Sequence, residues 1–279
     1  MKKKIDITSY TIASKNLPAS FDGCRIGFLA DFHNNREEYG QVLLEKIEKE
    51  KFDYIFCGGD MIVGSDKGWF ESENAIIFLE KLVKLAPVYY SLGNHEGRMR
   101  NFFVDTQINK TILDFYKEEL LKIGITVLDN EHCFLQKDGE DICLCGLSLS
   151  MDYYKRWWNR KKLTQEAVTK ALGKWDKFTI LLAHNPVYFK TYNEFQADLV
   201  LAGHIHGGLV VIPGLGGVIS PEHILFPKYD FGYFKASQSQ MILSRGLGAH
   251  TLPIRMNNPP EIISLVLKRT CDFSGLLVK

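Results

Sequence analysis

Histidine, aspartate and asparagine side chains recur in this chain directly after short apolar runs. Five of the eight histidines lie in five such polar clusters. The clusters are Asp31-Phe32-His33, Gly58-Gly59-Asp60, Gly93-Asn94-His95-Glu96, His184-Asn185-Pro186 and Gly203-His204-Ile205-His206-Gly207-Gly208. Imidazole and carboxylate ligands together suit Mn²⁺, Fe and Zn²⁺, and the clusters hold no cysteine that would favour a structural zinc site. The pattern therefore predicts a catalytic metal site.

The number of donors exceeds what one ion needs. Alternate residues of an extended chain share a face, so Asp31 with His33, and His204 with His206, could each bind one ion. An open catalytic site usually has three or four protein ligands, and the clusters supply seven. We therefore expect two divalent ions that share a bridging carboxylate. Mn²⁺, Fe or Zn²⁺ are the expected metals, with Mg²⁺ as an alternative.

The runs that precede the clusters have the length and composition of buried strands. Strands are predicted at 24–30, 53–57, 88–92, 125–128, 132–135, 142–147, 179–183, 199–202, 209–212, 240–243 and 261–267. Helices are predicted at 42–50, 75–85, 108–123 and 163–172. Loops at the carboxyl ends of strands line one crevice in an open α/β sheet, so the clusters should meet there. The predicted fold class is α/β (α+β): one domain over 1–279, with two facing sheets flanked by helices and a lead-in strand within 1–22.

Composition places the chain among ordinary globular proteins. Hydrophobic residues make up 46% and charged residues 24% of its 279 residues, which excludes a disordered chain, a collagen-like repeat and a disulfide-rich miniprotein. The net charge is only +1, so no specific nucleic-acid binding is expected. The six cysteines lack C-x-x-C spacing and are interpreted as buried small hydrophobes in a reducing compartment.

Neither a signal peptide nor a transmembrane helix is predicted. Met1-Lys2-Lys3-Lys4 resembles the start of an export signal, but polar residues interrupt the segment that follows. No apolar run reaches the ~18 residues that cross a bilayer. The expected location is cytoplasmic or peripheral to the membrane. The sequence leaves open the oligomeric state and whether an N-terminal anchor precedes this chain.

The order of the clusters separates this chain from other metal hydrolases. An amidohydrolase would carry its H-x-H early and its aspartate late, and a metallo-β-lactamase-type enzyme would need H-x-H-x-D-H. The order here is D-x-H, G-D, G-N-H-E, a lone histidine and G-H-x-H. In this it resembles the calcineurin-like metallophosphoesterases over almost the whole chain. It looks closest to a single-domain bacterial branch often found with an N-terminal membrane anchor or export signal.

The resemblance implies a four-layer sandwich of two mixed β-sheets flanked by helices, and a role for each site residue. The expected ligands of the first ion are Asp31, His33, Asp60 and His206. The expected ligands of the second ion are Asp60, Asn94, His184 and His204, with Asp60 bridging. His95 matches a histidine beside the scissile phosphate, so the expected catalytic residues are His95, Asp60 and Asn94. The expected reaction is hydrolysis of a phosphate ester, diester or pyrophosphate by a metal-bridged hydroxide.

Other residues near the clusters allow two interpretations each. Glu96 could orient His95 or cap the helix that follows. Arg245 could bind the substrate phosphate or hold its loop, and His250 is a weaker substrate-binding candidate. His132 and His223 are interpreted as structural or surface residues. Phe32 and Val63 depart from the residues usual in the family and are expected to shape the pocket mouth.

Residues 153–162, from Tyr153 to Lys162, place five basic residues around four aromatic ones. Either the aromatic rings pack inward, or the segment contacts an anionic membrane surface and borders the metal pocket. The resembled branch acts in places on lipid-linked sugar pyrophosphates, so the resemblance implies a small-molecule or lipid-linked phosphate substrate. One alternative function that it implies is hydrolysis of lipid-linked UDP-sugar pyrophosphates at a membrane surface. A second is a catalytically weak scaffold that uses the same fold to bind protein.

Overall fold

Two six-stranded sheets form the centre of the computed structural model, which describes residues 5–105, 109–208, 210–212, 216–218, 225–248 and 255–270. The strands of these sheets, in chain order, are β1 (Asp6–Ser14), β2 (Arg25–Leu29), β3 (Tyr54–Cys57), β4 (Val88–Ser91), β5 (Thr126–Leu128), β6 (Glu131–Lys137), β7 (Glu140–Leu147), β8 (Thr179–Ala183), β9 (Leu199–Ala202), β10 (Gly232–Lys235), β11 (Gln240–Leu243) and β12 (Glu261–Arg269). The helices are α1 (Glu37–Glu50), α2 (Glu73–Leu82), α3 (Asn94–Arg98), α4 (Ile112–Lys122), α5 (Gln165–Leu172) and α6 (Phe189–Phe195).

Both sheets are mixed, and their central strands are parallel. The first sheet has the order β1-β12-β2-β3-β4-β5, in which only the β12–β2 pair is antiparallel. The second has the order β6-β7-β8-β9-β11-β10, with antiparallel pairs at its two edges. Parallel neighbours place the carboxyl ends of β2, β3 and β4 at one edge of the first sheet, and those of β8, β9 and β11 at one edge of the second.

Three apolar cores separate four layers. Leu144, Leu182 and Leu201 point into the core between the two sheets. Their strand neighbours, such as Cys145 and Leu181, pack against α5 and α6 on the outer face. The core outside the first sheet contains residues of α1, α2 and α4. The central strands are covered by helices on one face and by the other sheet on the opposite face, so both faces are apolar. For this reason their sequences are continuous apolar runs. The predicted four-layer sandwich is confirmed.

Several elements differ from the sequence-based expectation. The helix predicted at 108–123 begins at Ile112, because Thr111 and Asp114 form a capping box. Residue 209 lies outside the described residues, and Val211–Ile212 forms a separate ribbon with Gly216–Gly217. Similar ribbons pair Val63–Gly64 with Phe70–Glu71, and Phe103–Asp105 with Lys110–Thr111. β10, α3 and α6 were not predicted, since each is short and lacks a clear apolar period.

The lead-in strand expected within 1–22 is β1, which pairs in parallel with β12. A 3₁₀ turn at Ala19–Phe21 follows it. None of the helices among the described residues has the length and apolar character to cross a membrane. The prediction of one domain over 1–279 stays a prediction.

The inner core yields a stability prediction. Leu201 is fully buried between the sheets, so Leu201→Ala should lower the free energy of unfolding by about 2–5 kcal/mol through lost burial and a residual cavity. Leu121, exposed on α4, provides a matched control, and Leu121→Ala should change stability by less than about 0.5 kcal/mol. Urea or thermal unfolding measures both. Equal stability of the two variants would contradict the assignment of Leu201 to the inner core.

Candidate metal centre

The five polar clusters lie together where the two sheets meet. Asp31 and His33 follow β2, Asp60 follows β3, and Asn94 to Glu96 follow β4 in the first sheet. The remaining clusters follow β8 and β9 of the second sheet. The two sheets are joined at this edge by hydrogen bonds between their loops. Nδ1 of His184 donates to the Gly58 carbonyl at 2.7 Å, and the His204 N–H reaches both carboxylate oxygens of Asp31 at 3.2 Å.

A first group of donor atoms comprises Asp31, His33 and His206, whose ligand atoms all lie within 4.8 Å of one another. Nε2 of His206 lies 3.3 Å from Oδ1 of Asp31 and 3.1 Å from Nε2 of His33. Two atoms that each bind one cation at about 2.1 Å, at roughly a right angle, lie about 3 Å apart. These spacings suit a shared divalent ion.

A second group comprises Asp60, His184 and His204, again within 4.8 Å. Nε2 of His184 lies 3.1 Å from Oδ2 of Asp60. Asp60 also belongs to a group with His33 and His95. Its carboxylate therefore lies close to histidines of both donor groups.

The amide of Asn94 provides a direct test of whether a cation suits the second group. Its oxygen faces Nδ1 of His204 at 2.8 Å and Oδ2 of Asp60 at 3.3 Å, while its nitrogen faces Nη1 of Arg98 at 3.3 Å. The amide oxygen of Asn94 thus faces two hydrogen-bond acceptors, and its amide nitrogen faces a hydrogen-bond donor. The opposite orientation would donate to Nδ1 of His204 and Oδ2 of Asp60, whereas this one leaves an acceptor atom of each of the three residues close together, as ligands of one cation would be. The residues present fit a divalent metal.

The backbone is strained at most of these ligands. Asp31, His33, Asp60, His204 and His206 all have positive φ values, between 51° and 73°. Residues other than glycine rarely adopt this conformation, and strain of this kind concentrates at functional sites. The turns also need glycine at close approaches. A Cβ on Gly93 would overlap Asp60, and a Cβ on Gly203 would lie 2.5 Å from Oδ2 of Asp31.

Hydrogen bonds select the tautomers of two histidines. Because Nδ1 of His184 donates to Gly58, its Nε2 presents a lone pair to the cluster when the ring is neutral. His95 has the opposite arrangement. Its Nδ1 accepts a hydrogen bond from the Gly64 N–H at 3.0 Å, so the proton of the neutral ring is on Nε2, 3.9 Å from Oδ2 of Asp60. The neutral ring of His95 therefore presents an N–H group to the site, whereas the neutral ring of His184 presents a lone pair.

Glu96 ties two of the ligand loops together. Its buried carboxylate accepts the backbone N–H groups of Asp60, Met61 and Gly93, each at 2.9 Å, and the hydroxyl of Tyr90 at 2.5 Å. The capping interpretation of Glu96 is therefore the one that the structure supports. The same carboxylate fixes the turn of Asp60 against the turn of Asn94.

Burial and neighbouring charges shift the pKa values of the aspartates and histidines of the site in opposite directions. Burial raises the pKa of Asp31 to about 7, although His184 lowers it. Burial opposes ionisation of Asp60 too, but His184 and His95 outweigh it and hold its pKa well below the ordinary value. Burial alone would lower the pKa of His184, yet Asp60 and Asp31 raise it to about 10. Burial lowers the pKa of His95 to about 4, despite attraction by Asp60. A proton on His184 thus substitutes for part of the charge that divalent cations would supply.

Arg245, a predicted substrate-binding residue, points away from the donor groups. Its guanidinium pairs with Glu261 at 2.7 Å and lies over the ring of Phe231, so its contacts tie β12 to the loop after β11. These contacts favour the structural interpretation of Arg245, and its substrate-binding role stays a prediction. His250, together with His223, lies outside the described residues.

Arg255 is the guanidinium that contacts the cluster, and the sequence analysis missed it. Its Nη2 lies 3.2 Å from Nδ1 of His206 and donates to the carbonyls of Arg245 and Gly248. No local pattern distinguishes an arginine in this proline-rich segment.

The remaining expectations concern neighbouring side chains. Phe32 is fully buried and stacks on Phe78, with ring centroids 4.8 Å apart, so it belongs to the core and not to the pocket mouth. His132 packs against Trp175, in agreement with the structural interpretation. Tyr154 belongs to the segment 153–162, which the sequence analysis expected beside the metal pocket. Its ring meets the ring of His204 edge-on, with centroids 5.1 Å apart, which makes it part of the wall of the site.

The chain matches the calcineurin-like phosphoesterase family over residues 24–208. The chain belongs to the calcineurin-like phosphoesterases. It is 30% identical over 278 residues to the uncharacterized metallophosphoesterase YkuE of Bacillus subtilis (strain 168), covering 95% of this chain and 86% of that protein. It is 27% identical over 246 residues to the phosphodiesterase YaeI of Escherichia coli (strain K12), covering 87% and 82%. A more distant likeness is phosphopantetheinyl hydrolase from Mycobacterium tuberculosis, with 12% identity, a TM-score of 0.46, and coverage of 80% of this chain and 89% of that one.

Glu96 yields a prediction for this family member. In Glu96→Gln an amide NH₂ group would replace one carboxylate oxygen and would face N–H groups that now donate hydrogen bonds to that oxygen. The free energy of unfolding should therefore fall by about 3 kcal/mol. Because the loops of Asp60 and Asn94 would loosen, metal affinity should fall about 10–100-fold. Denaturant unfolding and metal titration measure the two effects. Glu48→Gln, exposed on α1, is the control, and a variant at Glu96 that behaves like this control would rule out the clamp.

Proposed function

We propose that this chain is a binuclear metal-dependent phosphoesterase. The observation that carries the proposal is the pair of donor groups on either side of Asp60, one with Asp31, His33 and His206, the other with His184 and His204. Asn94 completes the second group through its amide oxygen. Membership of the calcineurin-like phosphoesterases supports hydrolysis of a phosphoric ester bond.

Two divalent cations, when bound, would activate water for attack on phosphorus and neutralise charge on the phosphoryl oxygens. The residues of the chain have separate tasks around them. Asp60 would supply the shared negative ligand. Its backbone N–H donates to the carboxylate of Glu96, and its Oδ1 accepts a hydrogen bond from the backbone N–H of His95 at 2.8 Å. These two contacts fix its position. His184 would be held as a neutral ligand by the carbonyl of Gly58.

His95 would protonate the leaving alkoxide or stabilise charge on it. Its proton lies on Nε2, on the side of the ring that faces Asp60, and Gly64 holds the ring in this tautomer. A positioned acid of this kind contributes about 10²–10⁴-fold to a rate. His95 also lies next to Asn94, so the acid and a ligand of the second ion are placed by the same helix start.

The substrate could be a monoester, a diester or a pyrophosphate, all of which suit the same pair of cations. The name of the Escherichia coli relative is a reason to place diesters first in a substrate panel. The panel consists of p-nitrophenyl phosphate, bis-p-nitrophenyl phosphate and a nucleotide-sugar pyrophosphate, each with Mn²⁺, Zn²⁺ and Mg²⁺. If the protein binds none of these metals and hydrolyses none of these substrates, the proposal is wrong. The chain would then be a scaffold that uses the same fold.

Two substitutions separate ligation from proton transfer. Asp60→Asn should lower metal content and reduce turnover to the background rate, because both ions lose their shared anionic ligand. His95→Ala should keep both ions while kcat falls about 10²–10⁴-fold. Metal analysis of the purified proteins and kinetics with bis-p-nitrophenyl phosphate measure these effects. His132→Ala, which removes a histidine packed against Trp175, is the control. Loss of a metal ion in His95→Ala would contradict its assignment as a non-ligand.

Chelation and acidification should act on the same ligands. Imidazole nitrogen binds a cation only when it carries no proton, so metal content and activity should fall together as the pH is lowered and protons compete with the cations for the histidine ligands. Removal of metal by EDTA should abolish activity, and Mn²⁺ is expected to restore it best. Activity that persists after verified loss of metal would exclude this mechanism.

A further inference from the structure

Exposed aromatic side chains concentrate around the metal centre. Eight aromatic residues are among the exposed large hydrophobic side chains of the described part of the chain. Six of them lie in loops at the edge of the sheets that carries the metal ligands, and we call these six the aromatic rim. The aromatic rim consists of Trp69, Phe70, Phe103, Trp157, Trp158 and Phe226. The other two, Phe115 and Tyr233, lie on α4 and β10.

Two parts of the aromatic rim are connected directly to the site. Phe70 pairs across a ribbon with Gly64, whose N–H group holds the ring of His95. Trp157 follows three residues after Tyr154, whose ring meets His204. Three residues span at most about 11 Å. These two parts of the aromatic rim therefore lie beside the metal centre.

Basic residues accompany the exposed tryptophans. Trp157 and Trp158 are 70% and 56% exposed, with their rings edge to face at 5.6 Å. The guanidinium of Arg156 lies over the ring of Trp158 at 5.4 Å. Residues 151–162 contain five basic residues and one acidic residue, in a chain of net charge +1. The inward-packing alternative is thus wrong for both tryptophans, which face solvent together with positive charge.

We propose that the aromatic rim and the basic residues of 153–162 dock the metal-site edge onto an anionic lipid bilayer. Tryptophan is preferred at the depth of lipid headgroups, and lysine and arginine beside it are attracted to anionic lipid. Aromatic tips on several separate loops suit insertion into a soft, flat surface. Docked in this way, the metal centre faces the membrane. The corresponding substrate is a phosphate ester carried by a membrane-embedded lipid, and this assignment rests on the proposed function.

Vesicle sedimentation at low salt tests the docking. Wild-type protein should bind vesicles containing equal parts of phosphatidylglycerol and phosphatidylcholine, and should bind phosphatidylcholine alone far less. Trp157→Ala/Trp158→Ala and Arg156→Glu/Lys162→Glu should each lower the partition coefficient about tenfold or more. The matched controls are Leu121→Ala on α4 and Lys46→Glu/Lys49→Glu on α1, which lie away from the aromatic rim. Both should bind the vesicles as wild-type protein does. Equal binding by the tryptophan variant and wild type would overturn the proposal.

A paired kinetic measurement separates docking from catalysis. The soluble substrate is bis-p-nitrophenyl phosphate, and its membrane counterpart is a p-nitrophenyl phosphodiester with a hexadecyl chain, presented in the anionic vesicles. The tryptophan variant should lose about tenfold in rate on the membrane substrate alone. Equal loss on both substrates, or a change only in oligomeric state by light scattering, would overturn lipid docking. If the wild-type protein hydrolyses the soluble diester but does not bind vesicles, lipid docking is wrong and the phosphoesterase proposal stands. If it binds vesicles but hydrolyses no substrate, the phosphoesterase proposal is wrong and lipid docking stands.

Discussion

Buried carboxylates at the junction of the two sheets are the constraint on which the site depends. Asp31, Asp60 and Glu96 are all nearly inaccessible to solvent, and each buried negative charge needs donors or cations to compensate for lost hydration. Glu96 is compensated by backbone N–H groups and Tyr90. Asp31 and Asp60 have fewer donors and depend on histidines. The raised pKa of Asp31 and of His184 shows that protonation compensates only in part. Two divalent cations would complete the charge balance.

This electrostatic need explains several features that are otherwise costly. Five ligands adopt left-handed backbone conformations, and glycines at 93 and 203 let the loops approach the carboxylates closely. Each of these features alone is unfavourable for the loop that contains it. They persist because contacts across the sheet junction, such as His184 with Gly58 and His204 with Asp31, determine the position of every loop from both sides.

The same edge of the sheets also carries the aromatic rim. Apolar side chains at loop tips cost solubility, while the opposite edge lacks exposed aromatic residues over the described part of the chain. Candidate metal ligands and exposed tryptophans thus lie at the same edge of the sheets. Tyr154, which contacts His204, and Trp157, three residues later, link the candidate metal centre to the aromatic rim along the chain.

Much of this arrangement follows from local sequence. The strands Thr179–Ala183, Leu199–Ala202 and Gln240–Leu243 were predicted at their observed bounds, because buried strands are continuous apolar runs ended by turn residues. Donor residues placed after such runs must lie at one edge of the sheets, so the identity of the candidate ligands was readable from the chain. The tertiary structure alone decided what contacts them. Arg255 lies 49 residues from His206 in the chain, Arg245 pairs with Glu261 on β12, and Glu96 reaches Asp60 across 36 residues. Such contacts depend on the relative positions of whole strands, which no local pattern of residue types contains.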